Sequence, residues 1–249
     1  MTRPPEQHEE VHRLLDRGLN SKQIAGLTGA PDSTVRLWRH GPRHPKGGSG
    51  TLTWRVGNDS SYSYLLGLYL GDGHVASAHK NPFLRFFLDR LYPGVISDAT
   101  RALERVFPDS AVRRYDPEHA RLTILQISHQ RLPYLLPHGP GRKHERPIVL
   151  APWQRERTHR HPEHFLRGLI HSDGCRCMNR FKTRLPSGRV AEYEYPRYFF
   201  SNLSADIRRL FCDHCDLLGI RWSLSNPRNV SVSHRDSVAL LDSFIGPKS

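Results

Sequence analysis

A ten-residue pattern occurs twice in this chain, and each copy closes on the same acid. The first copy is Tyr64-Leu65-Leu66-Gly67-Leu68-Tyr69-Leu70-Gly71-Asp72-Gly73, and the second is Phe165-Leu166-Arg167-Gly168-Leu169-Ile170-His171-Ser172-Asp173-Gly174. Each reads as a short apolar helix with small residues one turn apart, Gly67 and Gly71 in one, Gly168 and Ser172 in the other. Small residues at i and i+4 leave a groove in which two helix backbones can approach closely. Two such helices packed together deliver Asp72 and Asp173 to one point. Gly73 and Gly174 stand where a helix C-cap favours positive φ. Both acids therefore sit at helix C-termini, where the dipole disfavours an anion by roughly 0.3–1 kcal/mol. A compensating cation is called for, and Mg²⁺ (or Mn²⁺), which takes one or two carboxylates plus phosphate oxygens, suits the pair. An ordinary Asp-Gly turn explains one copy; it does not explain two at matching places of a repeat.

Leu65 to Gly73 and Leu166 to Gly174 resemble the two motifs of a single-chain LAGLIDADG homing endonuclease. The resemblance covers roughly residues 60–249. It implies an α+β fold of two α-β-β-α-β-β-α halves, whose two antiparallel sheets form a saddle over double-stranded DNA. It also implies that Asp72 and Asp173 are the catalytic metal ligands of a divalent-metal-dependent DNA endonuclease. The sixth motif position, often acidic in that family, is Leu70 and His171 here; the metal ligands are untouched by this departure. With both motifs in one chain, a monomer is expected.

The repeat extends past the motifs. Asp72 and Asp173 stand 101 residues apart, Phe86-Phe87 and Phe199-Phe200 113 apart, Ile127-Ser128-His129 and Val232-Ser233-His234 105 apart. The rise before Phe199 requires a longer hairpin in the second half, with Leu185-Pro186-Ser187-Gly188-Arg189 as its turn. In the first half, strands are expected at 74–79 and 83–89 about a turn at Asn81-Pro82, a helix at 97–107, and a second hairpin at 110–115 and 121–128. The second half repeats this with strands near 175–183 and 192–201, a helix at 205–218, strands at 221–225 and 229–233, and a helix at 235–245. Domain limits follow: the first half at 61–136, a Pro-, His- and Arg-rich crossover at 137–162, the second half at 163–249.

Ahead of these lies a basic segment with three short helical patterns. Residues 6–17 are amphipathic and closed by Gly18; Ser21 is placed to cap a helix carrying Ile24, Ala25 and Leu27; residues 32–39 turn Val35 and Trp38 inward. Residues 1–42 resemble the tri-helical helix-turn-helix of transposases, resolvases and regulators. On that resemblance Ser33, Thr34, Arg36, Arg39 and His40 face a DNA major groove. Residues 43–60 form a linker, whose Gly, Ser and basic content is that of a flexible cationic chain.

The formal net charge of +13 and pI of about 10.1 are the electrostatic footprint of nucleic-acid binding. A membrane partner is disfavoured by the lack of a long apolar run or a basic amphipathic helix with an aromatic face. A polar N-terminus without a signal peptide points to an intracellular protein. The chain opens without a nucleophile and closes without a terminal His-Asn, which disfavours an intein. Cys175, Cys177, Cys212 and Cys215, with His214, have a composition that could hold zinc. Strand alternation, however, sets the first pair on the DNA face and the second behind the sheet, so free thiols are expected and zinc is not. His159, His161 and His164 read as part of a solvated crossover. No motif locates the basic groups around the acids; Lys182 and Arg85 are candidates by residue type. The alternative function is a DNA-binding transcription regulator that keeps the fold without cleavage.

Overall fold

The computed structural model describes residues 10–11, 13–15, 17–39, 58–78, 81–139, 141–246 and 248; of these, the side chains of 37–39, 77 and 78 are not described. The chain divides into two compact units, Met1–Trp54 and Arg55–Ser249.

In the smaller unit, Val11, Leu14, Ile24, Ala30 and Val35 form a miniature core. Helix α1 spans Ser21–Thr28 and α2 Asp32–Arg39. The cap of α1 is Asn20 rather than Ser21. Its Oδ1 accepts from Gln23 N at 3.0 Å, and Gln23 Oε1 accepts from Asn20 N at 2.9 Å. This reciprocal box satisfies two orphan donors at once, which Ser21, one residue later and buried, cannot do. Gly29 ends α1 at φ +67°, its N–H donating to the Ala25 carbonyl. Ser33 and Arg36 are exposed on α2, Thr34 is half-buried, and Arg36 pairs with Asp32 at 2.8 Å. The side chains of Trp38 and Arg39, all of His40, and the linker up to residue 57 lie outside the described residues.

The larger unit runs α-β-β-α-β-β-α twice. The first half comprises α3 (Asp59–Asp72), β1 (Gly73–Ala78), β2 (Asn81–Asp89), α4 (Pro93–Val106), β3 (Arg113–Tyr115), β4 (Leu122–Ser128) and α5 (Leu132–Leu135). After α6 (Pro152–Arg160), the second half comprises α7 (Pro162–Asp173), β5 (Gly174–Arg184), β6 (Val190–Ser201), α8 (Ala205–Leu217), β7 (Ser223–Asn226), β8 (Asn229–Val232) and α9 (Arg235–Ile245). The sheets are antiparallel and equivalent in order, β1-β2-β4-β3 and β5-β6-β8-β7. One face of each sheet is covered: Leu84, Phe86, Leu125 and Ile127 are buried in the first, Tyr198, Phe200, Val230 and Val232 in the second. Helix α3 is buried all round from Ser61 to Leu70, which marks it as the central helix of the unit.

Four expectations are corrected here. Helix α3 begins at Asp59, capped by Asn58, whose Oδ1 accepts from Ser61 N at 2.8 Å; the linker therefore stops before residue 58. Pro82 lies within β2, opposite Ser77, and not in the turn; it is the second residue of the strand, where a missing N–H costs little. Phe86 faces Gly73 and Phe200 faces Gly174, so Phe86 is equivalent to Phe200, not to Phe199. A one-residue slip exchanges the faces of a strand, and both Phe86 and Phe200 are fully buried. The crossover contains a helix, α6, despite its polar sequence. Pro152 opens it, Ala151 N donates to Gln154 Oε1 at 2.9 Å, and buried Gln154 donates to Tyr62 Oη at 2.8 Å and to the Leu135 carbonyl at 3.0 Å. Arg157 adds an ion pair to Asp59 at 3.0 Å. Tertiary partners thus make a helix that has no apolar stripe.

Among the described residues no helix is long and apolar enough to cross a membrane.

Candidate metal centre

Helices α3 and α7 meet at their small residues. A Cβ on Gly67 would strike the Phe165 carbonyl and lie 3.0 Å from Leu169 N. One on Gly168 would strike the Tyr64 carbonyl and lie 2.7 Å from Leu68 N. Main chain thus touches main chain. One turn on, Gly71 gives its missing side chain's space to Ser172, and the Asp173 carboxylate lies 2.9 Å from where a Gly71 Cβ would be. The seam therefore brings the two motif ends together.

Gly73 and Gly174 serve a different purpose from the expected one. Their φ values, −81° and −113°, are extended, because each is the first residue of a strand. A Cβ on Gly73 would lie 2.6 Å from Tyr69 Cα, and one on Gly174 2.7 Å from Ile170 Cα. Glycine is needed for close approach to the helix just completed, not for left-handed backbone.

Burial first, and the charge of Asp173 second, raise the Asp72 pKa to about 6 against the pull of Lys248 and Lys143. Asp173 is also raised by burial, with Asn202 Nδ2, donating to its Oδ2 at 2.6 Å, acting the other way. Two lysines complete the centre. Lys143 Nζ donates to the carbonyls of Gly71 at 2.9 Å and Gly73 at 2.7 Å. Lys248 Nζ donates to those of Ser172 at 3.2 Å and Gly174 at 3.1 Å. Each ammonium thus sits on the two carbonyls flanking one acid, on the negative end of a helix dipole. Burial lowers the Lys143 pKa to about 8, and lowers that of Lys248.

These lysines escaped the sequence reading, although a signal existed. Gly141-Arg142-Lys143 and Gly246-Pro247-Lys248 stand 105 residues apart, the spacing of His129 and His234. The two candidates chosen by type lie elsewhere. Lys182 is paired with Glu192 far along the β5–β6 hairpin. Arg85 lies on the uncovered face of the first sheet, its Nε donating to Gln126 Oε1 at 2.6 Å. Cross-strand register sets His74, Arg85, Gln126 and Arg113 in one row across that face.

The donor set is carboxylate and main-chain carbonyl oxygen, which suits a hard cation such as Mg²⁺ or Mn²⁺. Among the described residues no group of three or more His, Cys, Asp or Glu side chains could hold a metal, so any ion here leans on two carboxylates, carbonyls and a ligand's own oxygens. A cleft of about 410 Å³ opens beside Asp173, lined by Gly71, His74, Arg142, Lys143, Arg146 and Asn202 among others. Cys175 is exposed, Cys177 half-buried, and Cys212 and Cys215 buried, all as free thiols.

No protein-family model matches this chain, and no curated protein matches it. Among solved structures it is similar to the homing endonuclease I-DmoI in complex with DNA and Mn, with a TM-score of 0.49, 15% identity, and coverage of 76% of this chain and 98% of that one. It is similar to the LAGLIDADG meganuclease I-AabMI bound to uncleaved DNA, with a TM-score of 0.44, 13% identity, and coverage of 74% and 82%. It is also similar to full-length DUF199/WhiA from Thermatoga maritima, with a TM-score of 0.49, 14% identity, and coverage of 78% of this chain and 58% of that one.

Proposed function

We propose that this protein binds double-stranded DNA and cleaves it with a divalent metal held between Asp72 and Asp173. The observation that carries this reading is the meeting of two half-buried carboxylates at the ends of two helices packed backbone to backbone. Burying two like charges together is costly unless a cation or a function requires it. The chemistry supplied by Mg²⁺ or Mn²⁺ bound there would be polarisation of a phosphodiester and acidification of a water. Asp72 and Asp173 would hold the ion, and Asn202 would orient the Asp173 carboxylate. Lys143 and Lys248 would balance the charge of the incoming phosphates, each anchored on its helix-end carbonyls. The uncovered face bearing His74, Arg85, Gln126 and Arg113 would take the duplex, with groups able to reach base edges and phosphates. Ser33, Thr34, Arg36, Arg39 and His40 of the smaller unit would add a second DNA contact of helix-turn-helix type.

The test is nicking and linearisation of a supercoiled plasmid library with Mg²⁺ or Mn²⁺, beside Asp72→Asn and Asp173→Asn. The expected result is cleavage by the parent and a loss of orders of magnitude in either variant, with metal-free DNA binding kept. Cleavage surviving in the double variant would place the chemistry elsewhere. One observation favours the second reading, a DNA-binding regulator that does not cut: Lys143 and Lys248 already offset both acids without a metal. That reading predicts binding by the parent with no cleavage under any divalent ion.

A further inference from the structure

The four cysteines fall into two pairs of opposite exposure. Cys212 and Cys215, on α8, are 7% and 0% exposed. On β5, Cys175 is exposed and Cys177 half-buried. Two residues apart on a strand, Cys175 and Cys177 point to the same face. Register identifies that face: Cys175 is opposite Phe199 and Cys177 opposite Arg197, whereas the alternating Tyr198 and Phe200 are buried. Both thiols therefore lie on the uncovered face of the second sheet, directly after Asp173. Gly73 and Gly174 open equivalent strands, so the first half has His74 and Ala76 at these two places. The duplicated fold does not itself demand the pair.

Two cations border the pair, and one has an unsatisfied donor. Arg197 lays its guanidinium 4.0 Å over the Phe199 ring, and its Nε is buried without a hydrogen-bond partner. Side chains opposite one another on antiparallel strands start about 4.5–5.5 Å apart, so this donor stands within reach of a sulfur anion at Cys177. Lys248 Nζ, donating to the Gly174 carbonyl at 3.1 Å, is the second cation and acts on Cys175. Partly exposed thiols among cations are the reactive kind, and buried ones such as Cys212 and Cys215 are inert. Extended backbone sets alternate Cα atoms about 6.6 Å apart, inside the span of roughly 4.4–6.8 Å that a disulfide bridges.

We propose that Cys175 and Cys177 are a peroxide-responsive dithiol whose closure to a disulfide releases the duplex. The Cys177 thiolate attacks one oxygen of hydrogen peroxide. The O–O bond breaks, the sulfur becomes a sulfenic acid, and the departing hydroxide takes the thiol's proton and leaves as water. The Cys175 sulfur then attacks the sulfenic sulfur; the S–S bond forms, the S–O bond breaks, and the hydroxide leaves with the Cys175 proton as a second water. Arg197 Nε donates to the Cys177 sulfur while it is an anion. Burial, and after it Cys177, raise the Cys175 pKa, so Cys175 is still a thiol when Cys177 has been oxidised. The bridge draws the two Cα atoms together by about an ångström. Arg176 between them is held on the covered face by Asp242, at 2.7 and 2.9 Å. The displacement therefore falls on the start of the strand, on Gly174 and the Asp173 carboxylate before it. Release of the duplex rests on the duplex-binding reading above; the dithiol chemistry does not.

The experiment treats the whole reduced protein with a small excess of hydrogen peroxide and reads intact mass, an unreduced tryptic digest and duplex affinity in chelator. The expected intact mass is that of a monomer lighter by about 2 Da. Trypsin cuts after Arg167, Arg176 and Arg180, so the digest should contain 168–176 joined to 177–180, separated again by dithiothreitol. Duplex affinity should be lost on oxidation and restored by dithiothreitol. In Cys175→Ser no second thiol resolves the sulfenic acid, and Cys177 should proceed to a sulfinic acid, a gain of about 32 Da. Peptides 168–176 and 177–180 left unjoined in the oxidised parent overturn the inference, as does a bridge between two chains or one confined to Cys212 and Cys215. A bridge between Cys175 and Cys177 that leaves affinity unchanged overturns the release. A reduced parent with no duplex affinity sinks the duplex-binding reading and the release with it, while the digest still decides the dithiol.

Discussion

At the residue scale the centre is a set of charges held where water would normally solvate them. Asp72 titrates near 6 in the fold, against an ordinary value of 3.8. Between those values the native protein keeps a proton that the unfolded chain has released. Its contribution to stability is thus present below about pH 4 and lost as pH rises through about 6. Asp72→Asn should therefore stabilise the metal-free protein by about 1–3 kcal/mol at pH 7.5 and by little at pH 4. Urea unfolding in chelator measures this, and an equal effect at both pH values would contradict the buried-charge account. His171, the departure within the second motif, is explained by its partners. The Ile245 carbonyl, 3.3 Å from Nε2, can only accept, so Nε2 carries the proton and Nδ1 accepts from Tyr64 Oη at 3.0 Å. Burial lowers the His171 pKa to about 4, keeping it a neutral strut between α3, α7 and α9.

At the scale of elements, the seam between α3 and α7 separates two kinds of close contact. Gly67 and Gly168 abut main-chain atoms, which cannot rotate away; Gly71 abuts the side chain of Ser172. Gly67→Ala or Gly168→Ala should therefore cost about 3 kcal/mol or more. Gly71→Ala should cost ~1–3 kcal/mol, and Ser172→Gly in the same chain should return more than half of that loss. Thermal or denaturant unfolding of these variants, with Gly67→Ala combined with Ser172→Gly as a fifth, reads this directly. A rescue of Gly67→Ala by Ser172→Gly, or none for Gly71→Ala, would refute the assigned contacts.

At the scale of the whole molecule, two compact units share an excess of 37 Lys and Arg over 24 Asp and Glu. The unit 55–249 contains both sheets, both acids and both lysines. Expressed alone it should unfold cooperatively and bind duplex DNA more weakly than the full chain. Its plot of log affinity against log salt should be shallower, by about 0.9 for each phosphate contact the smaller unit supplies. Fluorescence anisotropy across a salt series tests this. Identical slopes for the two proteins would remove residues 1–54 from the DNA interface.

The sequence by itself determined the duplication, the element order of each half and the identity of the two acids. Each of these is written in local signals: the small-residue spacing of Gly67, Gly71, Gly168 and Ser172, the alternation of Leu84 and Phe86, the repeated spacing of His129 and His234. Local signals do not carry the rest. Helix α6 depends on Gln154 finding Tyr62 and on Arg157 finding Asp59, partners more than 90 residues away. The extended φ of Gly73 and Gly174 follows from strands that start without a turn, and helix propensity says nothing of that. Phe86 matches Phe200 instead of Phe199 because register is a property of paired strands. Only the tertiary structure could bring Lys143 and Lys248 to the acids. Their ammonium groups travel 71 and 75 residues of chain from Asp72 and Asp173 to answer a helix dipole and a buried charge, which exist once the two halves have packed.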